Sequence, residues 1–437
     1  MQARRRRSAE RKTGVAALAT ASALAVLVSG CASGDTDDRN GRSHPDKVAP
    51  EQKPQQRPQL IGDGSTARMG AQPRQPTPRK LKPGKKPPQF VVFSWDGAGE
   101  DGNKLFSRFL RAGKKYGASQ TFFLSGIYLL PEDKAKRYAP PGHARGASDI
   151  GYLKDRNVRA TLNKIHRAWL AGNEVGTHFN GHFCGPKGVD SWSVDQWKSE
   201  IRQAKWFVKN WKTTTGWKRA APLPFDYDRE LIGGRTPCLE GRKNLLPAAK
   251  QMGFRYDSSG NGTQVWPSKE HGLWDVSLQQ VPVPGRKFET LSMDYNFLAN
   301  QSGTPNGPKD KRQQYGQQMR DGLLQGFERA YTTNRAPLVV GNHFEDWNGG
   351  VYMDAVEDVM RRVCGKKDVR CVSFRQLVDW LDVQDKSTLQ KLRSLGVGEA
   401  PAGGWSSFWH GEARERKGHG KSQEGEGGTT QRAASTN

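Results

Sequence analysis

Hydrophobic and polar positions divide the chain into four textures. Near the start, Val15 to Val28 is an apolar run rich in Ala and Leu, shorter than the ~20 residues a membrane span needs. Residues 32–88 are rich in Pro, Gln, Lys, Arg and Gly, with almost no aromatic or β-branched positions. Such a stretch cannot bury enough apolar surface to fold by itself, so it reads as a disordered tether. From Gln89 the pattern becomes periodic. Past about residue 384 it turns polar and rich in Gly, Glu and Lys, with Trp405, Phe408 and Trp409 standing alone. Residues 385–437 therefore read as a tail in which those three rings dock locally or stay unstructured.

The periodic part opens with the unbroken run Phe90-Val91-Val92-Phe93-Ser94-Trp95, which ends on Asp96 and a glycine-rich turn. Continuous apolar character predicts a strand buried on both faces, delivering Asp96 at its C-terminal end. Leu105, Phe106, Phe109 and Leu110 fall at helical spacing over 104–116, and Gly117 closes that helix. A strand over 118–124, a surface loop over about 131–152, a helix over 158–170 and a short strand over 174–177 follow. Helical patterns recur over 193–211, 244–252, 314–331 and 352–363, and strand patterns over 231–235, 254–257, 274–283 and 338–341. Strands alternating with helices predict one α/β domain over 89–384, with a parallel sheet or barrel covered by helices.

Charge changes the picture of the flanks more than of the domain. The net charge is +25. Residues 1–88 carry 18 Lys and Arg against 7 Asp and Glu, and residues 89–384 carry 43 against 31. A basic surface of this kind suits anionic cell-wall polymers or lipid headgroups. No basic helix with interleaved aromatics appears, which argues against nucleic acid as the partner. Arg4 to Arg7, Arg11 and Lys12 precede the apolar run, and Val28-Ser29-Gly30-Cys31 follows it. That order resembles a bacterial signal peptide with a lipobox over 1–31. It implies an exported chain anchored to the outer face of the cell membrane by a lipidated Cys31; an ordinary signal peptide cleaved nearby, giving a secreted chain, or an uncleaved anchor is the alternative.

Candidate chemistry centres on His178-Phe179-Asn180-Gly181-His182, directly after the strand ending in Gly176-Thr177. Histidines four apart in a helical turn present both imidazoles to one face, as a divalent metal requires. The runs Val91 to Asp96, Thr121-Phe122-Phe123-Leu124, Gly172 to His178, Gly234-Arg235-Thr236-Pro237, Ala248 to Ser259 and Val340-Gly341-Asn342-His343 together resemble the polysaccharide deacetylases of carbohydrate esterase family 4. The resemblance covers roughly residues 90–382. It implies a distorted (β/α) barrel and metal-dependent hydrolysis of N- or O-acetyl groups on a cell-wall or extracellular polysaccharide. It further implies a divalent metal, zinc, held by His178 and His182. Arg235 would orient the catalytic carboxylate, His343 would be the general acid, and the Cys238 N–H would help hold the oxyanion. Trp95, Pro237 and Cys238 would contact substrate. Without the resemblance, His343 reads as a strand-end histidine packed beside Trp347.

Two departures matter. The family shows two adjacent aspartates where this chain has only Asp96 followed by Gly97. In one register Asp96 is the base and Gly97 stands where a metal ligand belongs. In the other, Asp96 is the ligand and Trp95 replaces the base. Glu100 or Asp101 would then supply the missing carboxylate. Phe179 also departs, where the family has Ser or Thr. The incomplete pair leaves open a catalytically degenerate domain that binds glycan without turnover; a basic wall scaffold with no sugar site is a third reading. Besides Cys31 there are four cysteines. They allow three connectivities, of which Cys184 with Cys238 and Cys364 with Cys371 is the expected one.

Overall fold

The computed structural model describes residues 58–410. The signal sequence, Cys31, the first part of the tether and the end of the tail lie outside the described residues. No helix among those described is long and apolar enough to cross a membrane.

Strand β1 (Gln59–Ile61) and strand β2 (Thr66–Arg68) form a small hairpin. Strand β3 (Gln89–Asp96) is buried along its whole length, as its unbroken apolar run predicts. Helix α1 (Leu105–Tyr116) follows and ends at Gly117, whose φ of 70° is open to glycine at little cost. Next come strand β4 (Thr121–Leu124), helix α2 (Asp155–Leu170), strand β5 (Glu174–Thr177) and helix α3 (Val194–Lys209). Helix α3 is started by a reciprocal capping box between Ser193 and Gln196.

The central sheet is parallel, in the order Leu338–His343, β3, β4, β5, and Val369–Cys371 pairs with the start of β3. Single links then close the ring. Thr177 bridges Gly234, the Ser258 N–H donates to the Gly234 carbonyl, the Val276 N–H to Asp257, and the Gly341 N–H to Ser292. The result is the distorted barrel that the resemblance implies, where the alternating pattern alone left sheet and barrel open. Its strands are regular on the β3 side and reduced to bridges opposite. There, 231–235 is not a strand but contributes one bridge, and 274–283 is split into Leu273–Asp275 and Leu278–Pro282.

Two flanks differ from their composition. Residues 58–88, read as tether, lie against the domain. The Trp211 indole donates to the Ser65 carbonyl at 2.7 Å, Gln72 Nε2 donates to Trp169 and Asn173 carbonyls, and the Leu81 N–H donates to Gln384 Oε1. Low apolar content forbids a core of the segment's own, but it does not forbid adding backbone hydrogen bonds to a core already present. Likewise, the region read as tail begins with helices Lys386–Arg393 and Gly404–His410. Leu389 and Leu392 are buried, and the Trp409 indole donates to the Lys85 carbonyl at 2.8 Å.

Candidate active site

Strand alternation decides which residues of the opening run meet the site. Side chains of Ser94 and Asp96 point to one face of β3 and that of Trp95 to the other. On the inner face, Arg235 Nη1 donates to Asp96 Oδ1 at 2.8 Å and to Ser94 Oγ at 3.0 Å. The guanidinium is itself held by the Ser258 carbonyl and hydroxyl, at 3.1 and 2.8 Å, and is fully buried. Burial alone would push the Asp96 carboxyl up; the Arg235 guanidinium beside it, with the His343 imidazolium, outweighs that and holds it below the usual range. Asp96 is thus a fixed, ionised carboxylate. Gly97, next along, takes φ 63° and turns the chain away from the strand.

Trp95, on the other face, is a core residue. It donates to Gln120 Oε1 and stacks on Phe344 with ring centroids 4.7 Å apart. The expectation that Trp95 contacts substrate is therefore corrected, as is the register that puts it in the position of the base. Glu100 is also turned inward, accepting from the Ser107 N–H and hydroxyl near the start of α1, so it does not supply a carboxylate to the site. Asp101 does line the same cavity as Asp96, together with Glu345.

That cavity, about 160 Å³, is lined by Asp96, Gly97, Ser125, Tyr128, His178, His182 and His343 among others. His178 Nδ1–H donates to the Arg235 carbonyl at 2.8 Å. This assigns the tautomer, because a carbonyl only accepts. Its Nε2 is left as a bare lone pair, buried and without a protein partner. The His178 and His182 rings lie 5.1 Å apart between centroids. Burial keeps both imidazoles neutral, pushing His178 down to about 3 and His182 downward. Two neutral imidazoles, one with an orphaned buried lone pair, suit a borderline divalent ion such as zinc. Ser125 Oγ is a second buried, unpartnered polar atom on the cavity wall. The pair comes from an irregular turn in which Phe179 and His182 take φ near 60°, not from a regular helix. Phe179 itself packs on Trp197.

Cys184 and Cys238 are disulfide-bonded, as are Cys364 and Cys371. The sulfurs of the first pair come within 4.8 Å of a His182 ring nitrogen. Being bonded to each other, they have no thiolate to give a metal; they buttress the histidine turn instead. Pro237 is buried and Cys238 exposed in a single turn over Pro237–Leu239. Neither lines the cavity, so the expected substrate and oxyanion contacts from Pro237 and Cys238 are not found there.

His343, at the C-terminal end of Leu338–His343, is paired with a residue that the sequence reading passed over. Asp294 accepts from the His343 backbone N–H at 2.7 Å and from its Nδ1–H at 2.8 Å, and is completely buried. Burial would lower the His343 pKa, but the carboxylates, Asp294 first, raise it to about 9. The imidazolium is therefore the resting form at neutral pH. Its trace in the sequence is slight: an isolated Asp after Leu291-Ser292-Met293, with no periodic pattern around it, that opens the helix Asp294–Gln301.

No family model matches this sequence, and no curated protein matches it. Solved structures do resemble it. One, from Mycobacterium smegmatis and described as a polysaccharide deacetylase, is 14% identical, with 69% of this chain and 94% of that one covered and a TM-score of 0.41. The peptidoglycan deacetylase PdaC of Bacillus subtilis is 12% identical over 70% of this chain and 96% of that one, with a TM-score of 0.35. A CE4-family pseudoenzyme of Bacillus anthracis is 13% identical over 67% and 66%, also at 0.35. At these scores the likeness says nothing of activity. The side chains in the cavity carry the functional reading.

Proposed function

We propose that this chain is a metal-dependent hydrolase that removes acetyl groups from a cell-wall or extracellular polysaccharide. The observation that supports it most is one cavity holding two proton-transfer groups pushed in opposite directions: Asp96, kept ionised by Arg235, and His343, kept protonated by Asp294. Groups tuned apart in this way assign themselves as base and acid. His178 and His182 would hold the ion. When bound, it supplies Lewis-acid polarisation of the acetyl carbonyl and a more acidic water. Asp96 then accepts the proton of the attacking water, with Arg235 fixing the carboxylate's angle. His343 gives its Nε2 proton to the departing amine or sugar oxygen as the bond to the acetyl carbon breaks. The neutral Nδ1-protonated tautomer of His178 keeps its lone pair on the cavity side.

Gly97, where the resembled family has a second carboxylate, favours a second reading: a domain that binds glycan without turnover. Acetate release from N-acetylated chitooligosaccharides, measured alongside bound metal, separates the two. Release that disappears in Asp96→Ala and His178→Ala supports the hydrolase. Glycan binding with no release in zinc, cobalt or manganese overturns it in favour of the binder. For localisation we propose lipid anchoring at Cys31; Cys31→Ala should free the protein into the medium, and unchanged membrane fractionation would refute the anchor.

A further inference from the structure

A second concavity is larger than the one with the histidines. A groove of about 800 Å³ runs beside the start of β3, between the segment 76–88 and the loop around Asp368. Phe90 lines the groove and Asp96 the histidine cavity, so the two lie about 20 Å apart along β3, at opposite ends of the strand. Six cations line the groove (Arg79, Lys80, Lys82, Lys85, Lys86 and Arg370) against one carboxylate, Asp368. Lys86 is paired with Asp368 at 3.2 Å and Lys80 with Asp385 at 2.6 Å. Arg79, Lys82, Lys85 and Arg370 are exposed and have no carboxylate partner among the described residues.

Both walls are built, not trailing. On one side, Gln384 accepts from the Leu81 N–H and donates to the Arg79 carbonyl, while the Trp409 indole donates to the Lys85 carbonyl. On the other, the Cys364–Cys371 disulfide closes the loop that carries Asp368 and Arg370. Phe90 and Trp380 form the floor. A second hollow of about 430 Å³, sharing Lys80, Leu81 and Lys82 and walled by Trp409, continues the path across the segment. Four uncompensated cations on anchored backbone along one groove match an extended polyanion, whose charges repeat along its length, better than a single anion. The histidine cavity has the opposite character, with Asp96, Asp101 and Glu345 on its wall.

We propose that this groove binds a linear polymer that carries repeated phosphate charges and no stacking bases, holding the domain on an anionic matrix while the histidine cavity lies at the other end of the sheet. A concave, walled groove fits a strand better than a flat bilayer. The floor rings, Phe90 and Trp380, are buried to within a few per cent, so they offer no face on which nucleic-acid bases could stack.

Long-chain sodium polyphosphate titrated into the full chain at 50 and 200 mM NaCl tests this. The variant Lys82→Gln/Lys85→Gln/Arg370→Gln should bind at least tenfold more weakly at the lower salt. Its log–log salt slope should fall by about two, the release expected for three lost contacts on a single strand. A control variant, Arg202→Gln/Arg219→Gln/Lys243→Gln, removes the same charge elsewhere and should bind as the parent does. His178→Ala should also bind polyphosphate normally, so failure of the hydrolase reading would leave this result standing. Equal weakening in both triple variants would show diffuse attraction by net charge and overturn the proposal. Unchanged binding in the groove variant would overturn it too. Tighter binding of phosphatidylglycerol vesicles or single-stranded DNA than of polyphosphate, lost in the groove variant, would reassign the groove and overturn the polymer.

Discussion

Asp294→Asn should convert His343 from a resting acid into a resting base. Asp294 is completely buried and accepts three hydrogen bonds, from the His343 N–H, the His343 ring and the Tyr295 N–H at 2.7 Å. An amide of the same shape keeps the volume but removes the charge that raises His343 to about 9. At pH 8 a group titrating near 9 is roughly nine-tenths protonated, whereas one at the ordinary ~6.5 is only about 3% protonated. The variant should therefore lose roughly thirtyfold in acid form at pH 8, and acetate release should fall by a similar factor. Because the folded-state value is raised, the pair's contribution to stability is complete below pH ~6.5 and is lost as pH rises through about 9. Replacing one buried partner should also cost about 2–4 kcal/mol of folding free energy near neutral pH. Ring-proton NMR of the metal-free chain reads the titration without any turnover. A wild-type His343 that titrates at or below 6.5, or a variant that titrates like the wild type, would refute the assignment of Asp294 as its positioning residue.

Three further outcomes follow from the same geometry. His178→Ala should abolish stoichiometric zinc retention, or weaken it at least a hundredfold by calorimetry, since it removes the orphaned Nε2; unchanged retention would put the metal elsewhere. Glu200 is fully buried, accepts from the Tyr138 hydroxyl at 2.8 Å and is pushed up by burial to about 7. The folded chain thus holds a proton that the unfolded chain has lost between pH ~4.5 and 7, so stability falls by about 3 kcal/mol across that window. Glu200→Gln should remove that fall, melting later than the parent at pH 8 and alike at pH 4.5; parallel melting curves at both pH values would count against it. Trp95→Phe, in the core between Gln120 and Phe344, should lower the melting temperature while leaving KM for the oligosaccharide unchanged, and a raised KM at unchanged stability would restore it as a substrate contact.

What could be read ahead of the structure depended on whether a signal was local. The run Phe90–Phe93 demands burial on both faces, so β3 and the position of Asp96 were legible. Strand alternation, already in the sequence, could also have placed Trp95 opposite Ser94 and Asp96, because no residue intervenes to change the period. The pairing of Arg235 with Asp96 joins residues 139 positions apart, and that of His343 with Asp294 spans 49. For Arg235 a motif stood in for the missing geometry. For Asp294 nothing did, because the segment between residue 283 and residue 314 has no sustained period and its helix has only eight residues. The flanks show the converse. Composition measures whether a stretch can fold alone, and residues 58–88 cannot. Yet a segment with few apolar residues can still be ordered when its backbone finds donors and acceptors on a finished core, as Ser65, Gln72 and Leu81 do. That ordering is what gathers Arg79, Lys82 and Lys85 on one wall facing Arg370. A charge count along the chain spreads them over a tether, and only the fold turns them into a groove.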